Sequence, residues 1–290
     1  MNKQCKFTKK IIIPIILVFC IIFTLLIYFF AFFNVTAMLS SAVSIPQNLS
    51  AQNIILINAK TMEILYEKNA REKAYPASTT KIMTAIITLE TLEKYDSPIS
   101  QKVEVPKEIL STEGSSIYLS VGEKISIEDL LYGLILRSGN DAAVCLSMII
   151  GGTEKAFIKM MNEKASELGC ESTNFINSSG LFDKNHYTTA YDLALISAYA
   201  MKNPVFREIA SAKEYSASRQ DSDYNYFYNK NKVVHQYKGG NGIKIGFTKA
   251  SGRTLVASAE RDGTELICVV LNAQDWFNDV YKLFDYGFSV

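Results

Sequence analysis

Hydrophobic positions fall into two regimes along this chain. Residues 11–33, IIIPIILVFCIIFTLLIYFFAFF, run without a charge, long enough to cross a bilayer at about 20 residues per span. A polar, Ser-rich stretch follows over 34–50, and beyond it the pattern breaks into short blocks. NIILINAKTMEILYEKN (53–69) predicts two strands joined by a turn, from its β-branched and Leu positions. STTKIMTAIITLETLEKY (78–95) predicts a helix, and SIEDLLYGLILRSGNDAAVCLSMIIGG (126–152) a pair of apolar helices broken at SGN. TEKAFIKMMNEKASELG (153–169) reads as an amphipathic helix ending at Gly169, and TAYDLALISAYAMKN (189–203) as another. The tail returns to strands: GIKIGFTKASGRTLVASAERDGTELICVVLNA (242–273) predicts three, with a turn at RDG, before a closing helix over DWFNDVYKLFDYGF (275–288). Strands at both ends of the block predict one shared antiparallel sheet with helices on its faces, an α/β chain in the loose sense, or α+β.

Lys3, Lys6, Lys9 and Lys10 precede the apolar run. The positive-inside rule then keeps residues 1–10 in the cytoplasm and puts everything after 11–33 outside. A cleaved signal segment competes with an anchor, because VTA and SSA offer small residues for cleavage. The run exceeds the 7–15 apolar residues usual in signal peptides. Phe19 before Cys20 is too bulky for a lipid-attachment site. Residues 34–50 then serve as a linker and 51–290 as one domain.

Composition removes several classes. With a net charge of +1 and no long charge run, the chain lacks the clustered basic surface of a nucleic-acid binder. His186 and His235 stand far apart without partners at ligand spacing, which argues against zinc. Of five cysteines, Cys145, Cys170 and Cys268 fall in the domain, an odd number without close pairing, and read as small buried hydrophobes.

Three short stretches carry candidate chemistry. Ser78 and Lys81 are three apart, on one face of a helix's first turn. Free N–H groups there favour negative charge, and apolar neighbours such as Ile82 and Met83 would favour a neutral lysine, a base for the hydroxyl. Ser138, Gly139 and Asn140 form a polar break between apolar helices, where buried polar groups need partners. Lys244 and Gly246 lie on a strand; glycine there marks close approach, and lysine attracts a carboxylate. Each has an ordinary reading alone: an N-cap with a solvated lysine, a helix–helix turn, an edge strand.

Together and in this order, S-x-x-K, S-x-N and K-x-G carry the signature of penicillin-binding proteins and serine β-lactamases. LINAKTMEILYEKN, YPASTTKIMTA, EGSSIYLSVGEKISIEDLLYGLILRSGNDAA, FIKMMNEKASELGCESTNFINSSGLFDKNHYTTAYDLA and GIKIGFTKASGRTLVASA resemble D-alanyl-D-alanine carboxypeptidases of the S11 serine peptidase type. The likeness runs from about residue 50 to the end and is weaker near 210–238. It implies a β-lactamase/transpeptidase-like fold, an antiparallel sheet flanked by helices with a helical subdomain. It also implies that Ser78 attacks the carbonyl between two D-alanines of a peptidoglycan stem peptide while Lys81 takes its proton. The N–H groups of Ser78 and Phe247 would form the oxyanion hole beside Gly246. Ser138 and Lys244 would relay a proton to the leaving amine, and Asn140 would hold the substrate amide. β-Lactams would trap Ser78 as a slow ester, and no metal or cofactor is required.

Two departures stand out. The middle of K-T-G is Ile245, which cannot donate to the substrate's carboxylate, at a cost of about 1.5–3 kcal/mol. Thr248, Lys249 and Arg253 lie nearby. Some members place an arginine in the last helix region, where this chain has none and Trp276 stands instead. Many relatives continue into a small β-rich domain and a C-terminal amphipathic anchor, and the sequence reading expects neither here. Competing readings are a catalytically impaired penicillin-binding scaffold or sensor, or a β-lactamase or endopeptidase on the same fold. His186 reads as a structural loop histidine, and Asp192 as suited equally to orienting loops or to touching substrate.

Overall fold

A computed structural model describes residues 20–30, 45–219 and 222–290. The chain divides into two compact units, Met1–Ile45 and Pro46–Val290. In the first, residues 20–30 are helical and their apolar side chains are exposed. The remainder of the predicted span (11–19 and 31–33), residues 1–10 and most of the predicted linker (34–44) lie outside the described residues. Among the described residues no helix is long and apolar enough to cross a membrane.

The second unit is built on an antiparallel five-stranded sheet. Strands β1 (Asn53–Asn58) and β2 (Ile64–Lys68) form the first predicted hairpin. Two three-residue pairs follow, β3 (Lys102–Glu104) with β4 (Lys124–Ser126) and β5 (Glu214–Ser216) with β6 (Tyr226–Tyr228). Both are too short to show an alternating pattern, and the sequence does not predict them. Strands β7 (Gly240–Thr248), β8 (Gly252–Arg261) and β9 (Thr264–Ala273) complete the main sheet in the order β2-β1-β9-β8-β7. The first and last strands of the block thus share one sheet, joined where β1 pairs β9.

Alternation along the central strands feeds two cores. Ile55 and Ile57 of β1, with Ile267 and Val269 of β9, point into the larger core, shared with the helices. Ile54 and Leu56, with Cys268 and Val270, point to the other side, against Phe277, Val280 and Phe284. Burial on both faces explains the near-continuous apolar runs NIILIN and LICVVL. Each fully buried Ile, Leu or Val contributes roughly 1.5–3 kcal/mol.

The helices follow from local signals. α1 (Lys81–Lys94) runs from a one-turn 3-10 helix, Ala77–Thr80, and is buried along most of its length. α2 (Ile127–Tyr132) is capped by Ser126 Oγ, which accepts from Asp129 N–H at 3.0 Å. It widens into a π-type turn, Gly133–Arg137, which delivers Ser138 in the left-handed region at φ 65°. α3 (Asn140–Gly151) and α4 (Glu154–Glu167) pack on each other; Gly169 closes the second at φ +80°, as its position after the pattern predicts. α5 (Ala190–Ala200), capped by Thr189, lies on β9 and β1. α6 (Pro204–Ser211) starts at Asn203 with proline at its first position, a signal the apolar pattern alone does not carry. α7 (Val233–Gln236) is one turn before β7, and α8 (Trp276–Gly287) covers the far face. Cys145, Cys170 and Cys268 are free and buried, as read from their spacing.

The domain's first residues are clamped to its last helix. Buried Asp279 accepts from Ser50 N–H at 3.0 Å, Ser50 Oγ at 2.7 Å and Ala51 N–H at 2.9 Å. Asp279→Ala orphans these donors, so chemical denaturation is expected to show a loss of roughly 2–4 kcal/mol, with less loss for Asp279→Asn.

Candidate active site

Ser78 sits on a strained backbone. Ala77 before it has φ 49°, a left-handed conformation costing roughly 1–2 kcal/mol for a residue with a Cβ. Its surroundings fix that conformation. Thr79 Oγ1 and, from β8, Thr254 Oγ1 both donate to Pro76 O, at 2.7 and 3.0 Å. Gly180 packs so closely that a Cβ there would lie 1.9 Å from Ala77 O. Gly246 does the same from β7, where a Cβ would lie 2.8 Å from Ser78 N and 2.5 Å from Thr254 Oγ1. The glycine of K-x-G therefore lets the strand run against the Ser78 amide.

Lys81, fully buried, has three polar contacts. Its Nζ donates to Asn140 Oδ1 at 2.7 Å and Ser179 O at 2.6 Å, and lies 3.0 Å from Ser78 Oγ. Two of these partners are carbonyl oxygens, which only accept. They fix two of the amine's hydrogens, so the third direction, toward Ser78, holds a hydrogen when Lys81 is charged and a lone pair when it is neutral. Desolvation brings its pKa down to about 7, with the charge of Asp141 opposing that fall and Lys230 adding to it.

Asn140 is anchored in turn. Its Nδ2 donates to Glu113 O and its backbone N–H to Ser115 O at 2.7 Å. Both ends of the carboxamide are thus engaged within the protein, where the sequence resemblance implies a clamp on substrate. Asp141 holds the same loop, accepting from Ser116 Oγ at 2.6 Å and from the amides of Ile117 and Leu119, each at 3.1 Å. Asp141, the Glu113 and Ser115 carbonyls, Ser179 and Gly180 are site-building residues the sequence reading misses. NSSGLFD and the residue after Asn140 are the only local hints.

Ser138 is buried, and its hydroxyl has no hydrogen-bond partner among the described residues. Lys244 is also buried; its Nζ donates to Ile245 O at 3.0 Å and, among the described residues, to nothing else. The implied Ser138–Lys244 relay is therefore not closed by a direct bond among the described residues. Burial, then the charges of Lys81 and Lys230, hold the Lys244 pKa well below that of a free lysine. Phe247 is largely exposed. Ile245 pairs with Leu255 and packs with Trp276 against the second core, on the sheet face away from Lys244. Thr248 and Ser251 bond each other at 2.8 Å, and Arg253 donates to Gln274 O at 3.3 Å. Among the described residues no group of His, Cys, Asp and Glu is placed to hold a metal ion.

Behind the site, His186 is buried between Thr80 Oγ1, 2.9 Å from its Nε2, and Ile176 N–H, which donates to Nδ1 at 3.2 Å. Nδ1 accepts, so the neutral ring carries its proton on Nε2 and donates to Thr80. Asp192 accepts from Ser172 N–H and Thr173 Oγ1 at 2.9 and 2.7 Å, so of its two sequence readings these bonds follow the loop-orienting one.

Comparisons with known proteins show what the chain is similar to. The family model for D-alanyl-D-alanine carboxypeptidase matches residues 40–275. The carboxypeptidase DacF of Bacillus subtilis is 35% identical over 243 residues, covering 82% of this chain and 62% of its own length. DacC of Escherichia coli is 34% identical, with 83% and 62% covered. The chain thus spans less than two thirds of these two relatives. The D-alanyl-D-alanine carboxypeptidase of Streptomyces sp. K15 is 31% identical, with 87% of this chain and 91% of that protein covered. The solved Streptomyces K15 DD-transpeptidase superposes with a TM-score of 0.78 at 31% identity, over 85% of this chain and all of that one. The Mycobacterium tuberculosis carboxypeptidase structure gives 0.78 at 28% identity, over 86% and 95%.

Burial lowers the His186 pKa from 6.5 to about 4, so the native state favours the neutral ring. Its contribution to stability is full above pH 6.5 and is lost as pH falls from there toward about 4, up to about 3 kcal/mol. Thermal melts across this range should show a steeper acid loss for the native chain than for His186→Gln.

Proposed function

Because the chain belongs to the D-alanyl-D-alanine carboxypeptidase family, we propose that it removes the terminal D-alanine from peptidoglycan stem pentapeptides through an acyl-enzyme on Ser78. The observation that carries this reading is the buried Lys81 amine, held by two carbonyl acceptors with its third direction on Ser78 Oγ. Neutral Lys81 accepts the hydroxyl proton as Ser78 Oγ attacks the carbonyl between the two D-alanines. The oxyanion is stabilised by the amides of Ser78 and Phe247, which the close Gly246 strand supports. The tetrahedral intermediate breaks its C–N bond, and the proton held by Lys81 passes through Ser138, beside Lys244, to the departing D-alanine nitrogen, leaving Lys81 neutral again. Asn140 keeps Lys81 aimed and offers its remaining acceptor capacity to the substrate backbone. Water, deprotonated by Lys81, then hydrolyses the ester and returns Ser78. β-Lactams, which mimic the dipeptide, acylate the same oxygen. No step calls for a metal or other cofactor.

Residues 51–290 form the catalytic domain in this reading. The charge-free run over 11–33, behind four lysines, tethers it to the cell membrane with the domain outside; cleavage of that segment would release it. A peptidoglycan substrate is consistent with an extracellular domain.

The test is D-alanine release from a stem pentapeptide ending in D-Ala-D-Ala. Release that vanishes in Ser78→Ala supports the reading, and no release above that variant overturns it for this substrate. The base must be neutral to act, so activity should rise with pH. Acylation of Ser78 by a penicillin is expected to show an acid limb with an apparent pKa near 7, the value toward which burial draws Lys81.

A further inference from the structure

A cavity of about 280 Å³ adjoins the buried amine, and no step of the proposed reaction uses it. Asn140 and Ser179, whose oxygens hold Lys81, line its near end. From Asn140 the cavity follows one face of α3. Val144 and Met148 continue that face at four-residue steps, so the wall extends roughly 12 Å along the helix. Leu181 adds a further apolar side chain. Ser138 and Lys244, which serve the departing D-alanine, do not line the cavity. It therefore lies on the side of the acyl group that stays on Ser78.

Two carboxylates, Glu108 and Glu154, line the cavity, and no lysine or arginine does. Glu154 opens α4, three residues past the end of α3. Ser178 holds one of its oxygens: the Ser178 amide and Oγ both donate to Glu154 Oε1, at 3.1 and 2.8 Å. Ser178 is fixed in turn, its carbonyl accepting from Thr84 Oγ1 at 2.6 Å. Glu154 Oε2 is left without a hydrogen bond or ion pair among the described residues. Glu108 lies on a 3-10 turn, Lys107–Ser111, that packs against α3. Its carboxylate has no partner among the described residues either. Both side chains are partly buried, and a partly buried carboxylate attracts a cation more strongly than a fully solvated one. A group entering from the reacting carbonyl thus meets an apolar wall and then unused negative charge.

We propose that this cavity is a subsite for the side chain of the residue before the acylated D-alanine, and that it selects an aliphatic stem ending in an ammonium, as lysine or another diamino acid carries. The proposal rests on the carboxypeptidase reading above and narrows its substrate class. The methylenes of such a side chain pack on Val144 and Met148. Its ammonium, with three hydrogens to donate, reaches Glu154 Oε2 and the Glu108 carboxylate without displacing any bond already made.

The experiment uses the full chain and three pentapeptides that end in D-Ala-D-Ala and differ in the residue before that pair. One carries lysine, one norleucine, which keeps the stem without the charge, and one 2,3-diaminopropionate, which keeps the charge on a short stem. kcat/KM is expected to be about fivefold or more higher for lysine than for either of the others. In the double variant Glu108→Gln, Glu154→Gln the lysine-to-norleucine ratio falls toward one. Glu108→Gln alone, on a turn that makes no contact with Ser178, lowers the ratio part of the way and decides the matter if the double variant does not fold. A native ratio near one, a ratio that the variants retain, or a short amine taken as well as lysine overturns the proposal. If the native chain releases no D-alanine from any of the three, calorimetric binding of the same peptides reads the subsite alone. Tighter binding of the lysine peptide, lost in the variants, then upholds the subsite while the carboxypeptidase reading falls. Equal binding of the lysine and norleucine peptides, or none, overturns both.

Discussion

A fully buried primary amine whose hydrogens are fixed by two carbonyl oxygens is the constraint around which this domain is organised. An ammonium in an apolar interior is costly, and a neutral amine that can rotate is a poor base. Ser179 O and Asn140 Oδ1 meet both difficulties together. They satisfy the polar hydrogens that burial would otherwise orphan, and they leave one direction free, toward Ser78. The remaining architecture keeps those acceptors in place. The π-type turn and left-handed Ser138 start α3 where Asn140 can reach Lys81. Asp141 gathers the 113–119 loop, so that Glu113 O holds the other end of the Asn140 carboxamide. Gly180, pressed against Ala77 O, brings the adjoining Ser179 carbonyl to the amine.

The parts of this design that depend on spacing along the chain are visible in the residues themselves. Ser78 and Lys81 meet because three residues make about one helical turn, and the strand runs are legible because both faces of the sheet are apolar. Ser138, Asn140, Lys244 and Gly246 become readable only in combination, since each alone suits a turn or an edge strand. Carbonyl acceptors are invisible in a sequence, because every residue has one; only the fold selects those of Glu113, Ser115 and Ser179. The β5–β6 pair lies in the stretch where the family likeness is weakest and is too short for periodicity to reveal.

Ile245 shows how one strand serves two interiors. Lys244 and Gly246 face the serine, while the residue between them faces α8 and packs with Trp276. A hydroxyl at 245 would sit at the boundary between cleft and second core; isoleucine gives that boundary to packing.

The Asp279 clamp has a mechanical consequence. Ser50 and Ala51 hang from a carboxylate in the last helix, and Ser50 Oγ also accepts from the amides of Gln274 and Asp275. Tension applied to the polypeptide ahead of residue 50 is therefore delivered to α8 and the turn before it. β1 is pulled only after those bonds yield. The strained turn at Ala77 and the amine behind it lie further along the force path. A tug on the leading end would peel the C-terminal helix before it disturbed the serine.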